Sequence, residues 1–138
     1  MKKNYEGHCL CKKVSITAQL DEKVGVCHCS MCRQWVGGPF LGVDGGTDAA
    51  IRGTEHLGYF VSSDWARRAF CRECGSALFY ELRESGQKII SAGLFAKDEG
   101  FSLDHQIFID EKPHWYAFAN QTQTMTGAEV FAEFTKQQ

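Results

Sequence analysis

Seven cysteines in three short clusters constrain this 138-residue chain more than any other feature. They stand as Cys9-Leu10-Cys11, Cys27-His28-Cys29-Ser30-Met31-Cys32 and Cys71-Arg72-Glu73-Cys74. An odd number cannot all pair as disulfides, so a pure disulfide framework would strand one thiol. The opening Met1-Lys2-Lys3-Asn4-Tyr5-Glu6-Gly7 has no apolar run after its lysines and does not read as a secretion signal. A cytoplasmic location is therefore expected, and disulfides rarely persist there. Parity and compartment both point to metal.

The spacing divides the cysteines into two unequal sets. In a strand, residues i and i+2 share a face, so Cys9 and Cys11 can direct both sulfurs to one side. The turn Cys71-x-x-Cys74 brings a second pair close enough to chelate the same ion. Four thiolates satisfy the tetrahedral preference of Zn²⁺ and leave no open position, the pattern of a structural site. Such a clip would tie the N-terminal strand to one much later in the chain. Cys27, Cys29 and Cys32 form the second set. Three ligands from one short loop leave the fourth position to water, substrate or another side chain, which is the catalytic pattern. Alternatively an acid or one of His8, His28, His56, His105 and His114 closes that tetrahedron and makes it structural too. A redox reading of each Cys-x-x-Cys fails on context, since a thioredoxin-like motif opens a helix within a βαβ unit and neither pair sits in one.

Around these clusters the chain reads as one mainly β domain over residues 1–138, with little helix. Val14, Ile16, Ala18 and Leu20 alternate with polar residues, the period of a half-buried strand. Further strands are expected at 39–43, 57–62, 67–71, 77–82, 88–94 and 106–110. Asp44-Gly45-Gly46, Ser63-Asp64 and Glu84-Ser85-Gly86 supply turns, the last closing a hairpin. A short helix is expected over 30–36, ended by Gly37 and Gly38. Near the C-terminus Thr126-x-x-Glu129 forms a capping box, with Val130 and Phe134 spaced for one buried stripe. Trp35, Tyr59, Phe60 and Trp65 are expected to pack in the core. No window approaches the roughly 18 apolar residues of a membrane span. The net charge of −2 gives no case for nucleic acid. Lys12, Lys13, Arg33, Arg67, Arg68 and Arg72 lie beside the cysteines in sequence and are placed to offset the charge of thiolates.

These motifs resemble the glutathione-dependent formaldehyde-activating enzyme family, whose domain is shared with centromere protein V. The matching segments are Gly7-His8-Cys9-Leu10-Cys11, Cys27 through Arg33, Phe70 through Ser76, and a late His105 followed by Lys112-Pro113-His114-Trp115. The resemblance implies a tent-like fold of stacked antiparallel sheets. It also implies structural zinc on Cys9, Cys11, Cys71 and Cys74, and exchangeable or catalytic zinc on Cys27, Cys29 and Cys32. Two zinc ions per chain are expected. The implied activity is carbon–sulfur bond chemistry on a small thiol, joining glutathione to formaldehyde. Three positions depart from the family pattern: Lys12 where many members have glycine, Ser102 where proline is usual, and Asn120 where an acid is common. None is a zinc ligand.

Two other readings stand beside the enzyme. One is a binding module in which both zincs are structural. The other is a thiol or metal stress sensor whose three-sulfur loop loses zinc on oxidation. In the enzyme, Arg33 is a candidate anion contact and His28 orients the loop.

Overall fold

The structure, a computed structural model, describes residues 2–136, and of Lys136 only the backbone. Eleven strands and two helices are assigned among these residues. The strands are β1 Lys3–His8, β2 Ser15–Leu20, β3 Lys23–Cys27, β4 Phe40–Asp44, β5 Ala50–Arg52, β6 Leu57–Val61, β7 Ala66–Cys71, β8 Ala77–Leu82, β9 Lys88–Ser91, β10 Ser102–Ile107 and β11 Gln123–Met125. The helices are α1 Ser30–Val36 and α2 Gly127–Lys136. The chain is mainly β, as expected.

Two sheets are formed. A small one runs β1-β2-β5, and an eight-stranded one runs β11-β10-β3-β4-β9-β8-β7-β6. From β3 to β6 the large sheet is antiparallel, but β10 pairs in parallel with both β3 and β11. An all-antiparallel sheet is therefore refined to a mixed one. The reason lies in the path: β10 is far from β3 in sequence, so no tight turn forces the two to run opposite ways.

The alternation in β2 does what its period requires. Val14, Ile16 and Leu20 are fully buried, and they pack with Val24, Val43, Ala69, Leu78, Phe79 and Ile90 of the large sheet. This core fills the space between the sheets. Within it, register sets Arg67, Glu81 and Lys88 side by side across β7, β8 and β9. Glu81 accepts from both cations, from Lys88 Nζ at 3.0 Å. The Arg67 guanidinium also covers the Tyr59 ring, 3.7 Å from its centroid.

Several expectations change in detail. The run 88–94 is a strand only to Ser91, after which residues 92–94 make a 3₁₀ turn. The run 106–110 is the end of β10, followed by a 3₁₀ turn over 109–111. Strands β1, β3, β5 and β11 carry too few apolar residues or too much glycine to signal themselves. The hairpin at Glu84-Ser85-Gly86 forms, with Gly86 at φ 81°. The capping box forms too: Glu129 Oε1 accepts from Thr126 N, and Thr126 Oγ1 from Glu129 N. Val130 and Phe134 are only half-buried, because α2 packs on a thin edge of the molecule. Core placement is corrected for three of the four aromatics. Tyr59 and Phe60 are 39% and 64% exposed, since β6 is the edge strand of the large sheet, and Trp65, in the turn between β6 and β7, is 45% exposed.

Candidate metal centres

The first cysteine set sits where the two sheets meet. Cys9 and Cys11 lie in the turn between β1 and β2, Cys71 ends β7, and Cys74 lies in the turn between β7 and β8. Their four sulfurs lie within 4.8 Å of one another. Cys11 Sγ is 3.6 Å from Cys9 Sγ and 3.7 Å from Cys71 Sγ. A tetrahedron with Zn–S near 2.3 Å has sulfur–sulfur edges of about 3.8 Å, so the set fits zinc. It does not fit a disulfide, which needs about 2.05 Å. All seven cysteines are free thiols.

Local backbone shapes both turns around the sulfurs. Cys9 N donates to Val14 O, and Cys9 Sγ accepts from Val14 N at 3.4 Å. Lys12 is held at φ 68°, the left-handed region that favours glycine, which accounts for the glycine expected at this position in relatives. Gly75 takes φ 79° in the second turn, and Ser76 Oγ accepts from Leu10 N, lacing one turn to the other. Desolvation pushes the Cys74 thiol up, but hydrogen bonds from the Ser76 side chain and backbone and from Cys11 outweigh it and bring the thiol down to about 5. Cys11 of the same set is pushed up to about 12 despite the lowering hydrogen bond from the Lys13 backbone, as burial and hydrogen bonds with Cys9, Cys74 and Cys71 raise it, so the four sulfurs share their charge unequally.

The second set lies on the opposite face of the large sheet. Cys27 ends β3, Cys29 caps the N-terminus of α1, and Cys32 lies in its first turn. Cys29 Sγ accepts from Cys32 N at 3.3 Å. Gly37 at φ 81° ends the helix by donating to Arg33 O, as the sequence suggested. The three sulfurs again lie within 4.8 Å, and no histidine or carboxylate joins them among the described residues. Hydrogen bonds from Cys27 and Cys32 hold Cys29 down to about 2, with the charge of Arg68 adding to the effect. Cys27 is pushed up by its hydrogen bonds with Cys29 and Cys32. The set is therefore poised as a shared anion, a donor group suited to a soft divalent metal.

The loop is pinned from below and behind. His28 is fully buried between two ligand candidates. Gln106 Nε2 donates to Thr122, which turns Gln106 Oε1 toward His28 Nε2 at 2.8 Å. His28 Nε2 therefore carries the proton, and Nδ1 accepts from the Tyr116 hydroxyl at 2.8 Å. Burial lowers the His28 pKa, which keeps the ring neutral. The histidine orients the loop, as expected. Arg33 Nε donates to His28 O at 2.9 Å, and Glu111 Oε1 accepts from Ser30 N. Gln106, Tyr116 and Glu111 carry no signal in sequence, because they reach the loop from about 80 residues away.

Beside the set runs a trough of about 320 Å³. Its floor is the outer face of β3 and β4, where Gly25 and Gly42 are paired in register. A side chain at Gly25 would collide with the His105 ring, its Cβ only 2.3 Å from Nε2. Cys27, Phe40, Ile89 and Ile107 line one end, and Phe40 and Ile89 also pack against the three-sulfur set. Asp21, Lys23, Asp44 and Asp104 lie along the rest. His8, His56 and His114 fall elsewhere; His56 pairs with Glu55 and Glu73 near the other cysteine set.

Two stacked sheets carrying one four-thiol and one three-thiol cluster define a small β domain with two cysteine groups that could hold a soft metal. Comparison with known proteins gives the family. Residues 4–111 match the family described as glutathione-dependent formaldehyde-activating enzyme, and the chain belongs to that family. An uncharacterised lyase of Schizosaccharomyces pombe is 37% identical over 134 residues, covering 96% of this chain and 98% of the yeast protein. The crystal structure of a Rhodobacter sphaeroides protein superposes with a TM-score of 0.56 at 24% identity, covering 67% of this chain and 88% of that one. That likeness supports the fold. No helix among the described residues is long and apolar enough to cross a membrane.

Proposed function

We propose that this chain is a zinc-dependent enzyme of the carbon–sulfur lyase type, acting on the adduct of a small thiol with a carbonyl compound. Glutathione and formaldehyde are the pair that the family description specifies. The observation that carries the reading is a three-thiol set, without a fourth histidine or carboxylate donor among the described residues, whose Cys27 lines the end of a trough.

Cys9, Cys11, Cys71 and Cys74 would hold one ion as a closed structural site, and Cys27, Cys29 and Cys32 a second. Bound there, zinc supplies a free coordination position at which an incoming sulfur is kept as thiolate. The reaction joins the thiol sulfur to the carbonyl carbon, and the thiol proton ends on the carbonyl oxygen; the lyase direction reverses both changes. The chain's part is placement. His28 and Arg33 fix the loop, and the trough beside it, with His105 set over Gly25 and Phe40 and Ile89 over Gly42, admits the substrate along the sheet. Lys23 and the three aspartates along the trough suit the carboxylate and ammonium of an amino-acid-like thiol such as glutathione.

The test begins with zinc per chain by elemental analysis, with two expected. Glutathione is then titrated into Co²⁺-substituted protein while its absorption is followed. A new sulfur ligand should appear in the parent and be absent in Cys32→Ser. In parallel, NMR exchange spectroscopy should show the hydroxymethyl adduct interconverting faster than it does without protein. Two four-coordinate metals that ignore added thiol, with exchange at the spontaneous rate, would overturn the enzyme in favour of a zinc-stabilised binding module.

A further inference from the structure

Arg67 and Arg68 are neighbours on β7 with opposite fates. Arg67 faces the core and pairs with Glu81. Arg68 faces the outer side, where register places it beside Tyr80 of β8 and Phe60 of β6. It is only 4% exposed. Among the described residues no carboxylate lies within ion-pair distance of it. Its guanidinium is held between aromatic rings, 5.0 Å from the Trp35 centroid and 5.2 Å from that of Tyr80. Nε donates to Ser62 Oγ at 3.2 Å, and Nη1 donates to Cys32 Sγ at 3.4 Å.

A buried guanidinium stays charged and is costly unless something compensates it. Ser62, Trp35 and Tyr80 supply a neutral hydrogen bond and ring faces. Of the groups in contact with it, Cys32 is the one that becomes an anion on binding metal. We infer that Arg68 is the counter-charge of the three-sulfur centre, a positioning residue that fixes the Cys32 thiolate and sets how tightly the centre holds a soft divalent metal. A divalent ion with three thiolates leaves a net −1, which one guanidinium cancels. An incoming thiolate would bring the centre to −2, and Arg68 reduces that to −1. The four-sulfur set has no comparable buried cation against its sulfurs among the described residues. The inference rests on the proposed metal role of Cys27, Cys29 and Cys32, and it adds a charge partner 36 residues beyond Cys32.

The test uses Arg68→Met and Arg68→Lys in the full chain. Groups that support metal ligands typically contribute about 10–100-fold in affinity. In chelator competition, Arg68→Met should lose zinc from the second centre at least about tenfold more readily than the parent, on that scale. The first zinc and the cooperative unfolding transition should persist, and Arg68→Lys should recover part of the loss. The Co²⁺–thiolate absorption of the second centre should shift in Arg68→Met alone. A folded Arg68→Met with second-centre affinity within twofold of the parent overturns the inference. Should Arg68→Met fail to fold, adding Cys32→Ser should restore folding, because the pair is removed together; failure to restore it also overturns the inference. If the parent binds one metal only, the proposed function fails. Without a second metal there is no anionic centre for Arg68 to balance, and the counter-charge inference falls with that reading, whereas two bound metals with an unchanged Arg68→Met overturn the inference alone.

Discussion

Cys11→Ser isolates what a metal contributes at the four-sulfur set. Cys9 and Cys71 are fully buried, so replacing either mixes lost packing with lost ligation. Cys11 is exposed, and its sulfur lies 3.6 Å from Cys9 and 3.7 Å from Cys71, with the Lys13 backbone donating to it as well. Its two positions of attachment, 11 and 71, are 60 residues apart. Closing a loop of that length removes about 4 kcal/mol of chain entropy from the unfolded state. The same relation gives about 2 kcal/mol for the short loop from Cys27 to Cys32. Against a typical domain stability of about 5–15 kcal/mol, the first figure decides whether the fold survives mild stress and the second does not. In a weak chelator buffer that strips a three-ligand site, Cys11→Ser should therefore lose about 4 kcal/mol in urea unfolding. Its Tm should drop by on the order of 12–16 °C for a domain of this size. Cys32→Ser should lose little in the same buffer, because the parent's own three-ligand centre is already stripped there. A Cys11→Ser protein within about 1 kcal/mol of the parent, with unchanged metal content, would refute the claim that these four thiols clip the sheets together.

Lys12→Gly should raise stability by about 1 kcal/mol in thermal unfolding, since it relieves a left-handed backbone at an exposed lysine. Glu81→Ala leaves Arg67 and Lys88 facing each other in the core; it should cost about 2–3 kcal/mol in urea, less than a fully buried pair because Arg67 remains 37% exposed. His28 has a folded pKa lowered by burial, so the unfolded chain binds its proton more readily. Its contribution is complete above the unfolded value of about 6.5 and is lost as pH falls through the lower folded pKa. NMR of the His28 ring should show a midpoint below that value, and a midpoint at or above it would contradict the buried neutral tautomer.

The cysteine partition was legible before any coordinates because ligand spacing is a short-range property. Cys9-x-Cys11 and Cys71-x-x-Cys74 each fix two sulfurs within a turn, and the structure brings the four together. The same holds for α1, whose end is set by Gly37, and for the capping box at Thr126 and Glu129. Local backbone chemistry decides these features, and the residues that decide them are adjacent. The placement of Tyr59 and Phe60 was not legible, because it depends on whether their strand has a neighbour on both sides, nor was that of Trp65, which depends on how the turn between β6 and β7 packs.

The chain's own sequence thus determined which residues can serve as soft ligands, how they group, and that a β framework carries them. Tertiary structure alone decided what surrounds those ligands. It paired β10 with β3 in parallel, which set His105 over Gly25 and brought Gln106 under His28. It also turned Arg68 rather than Arg67 toward Cys32, a choice made by the strand's two-residue alternation once β7 was locked between β6 and β8. A guanidinium beside a cysteine in sequence is one of several candidates. Only the register of the sheet determines which of them reaches the sulfur.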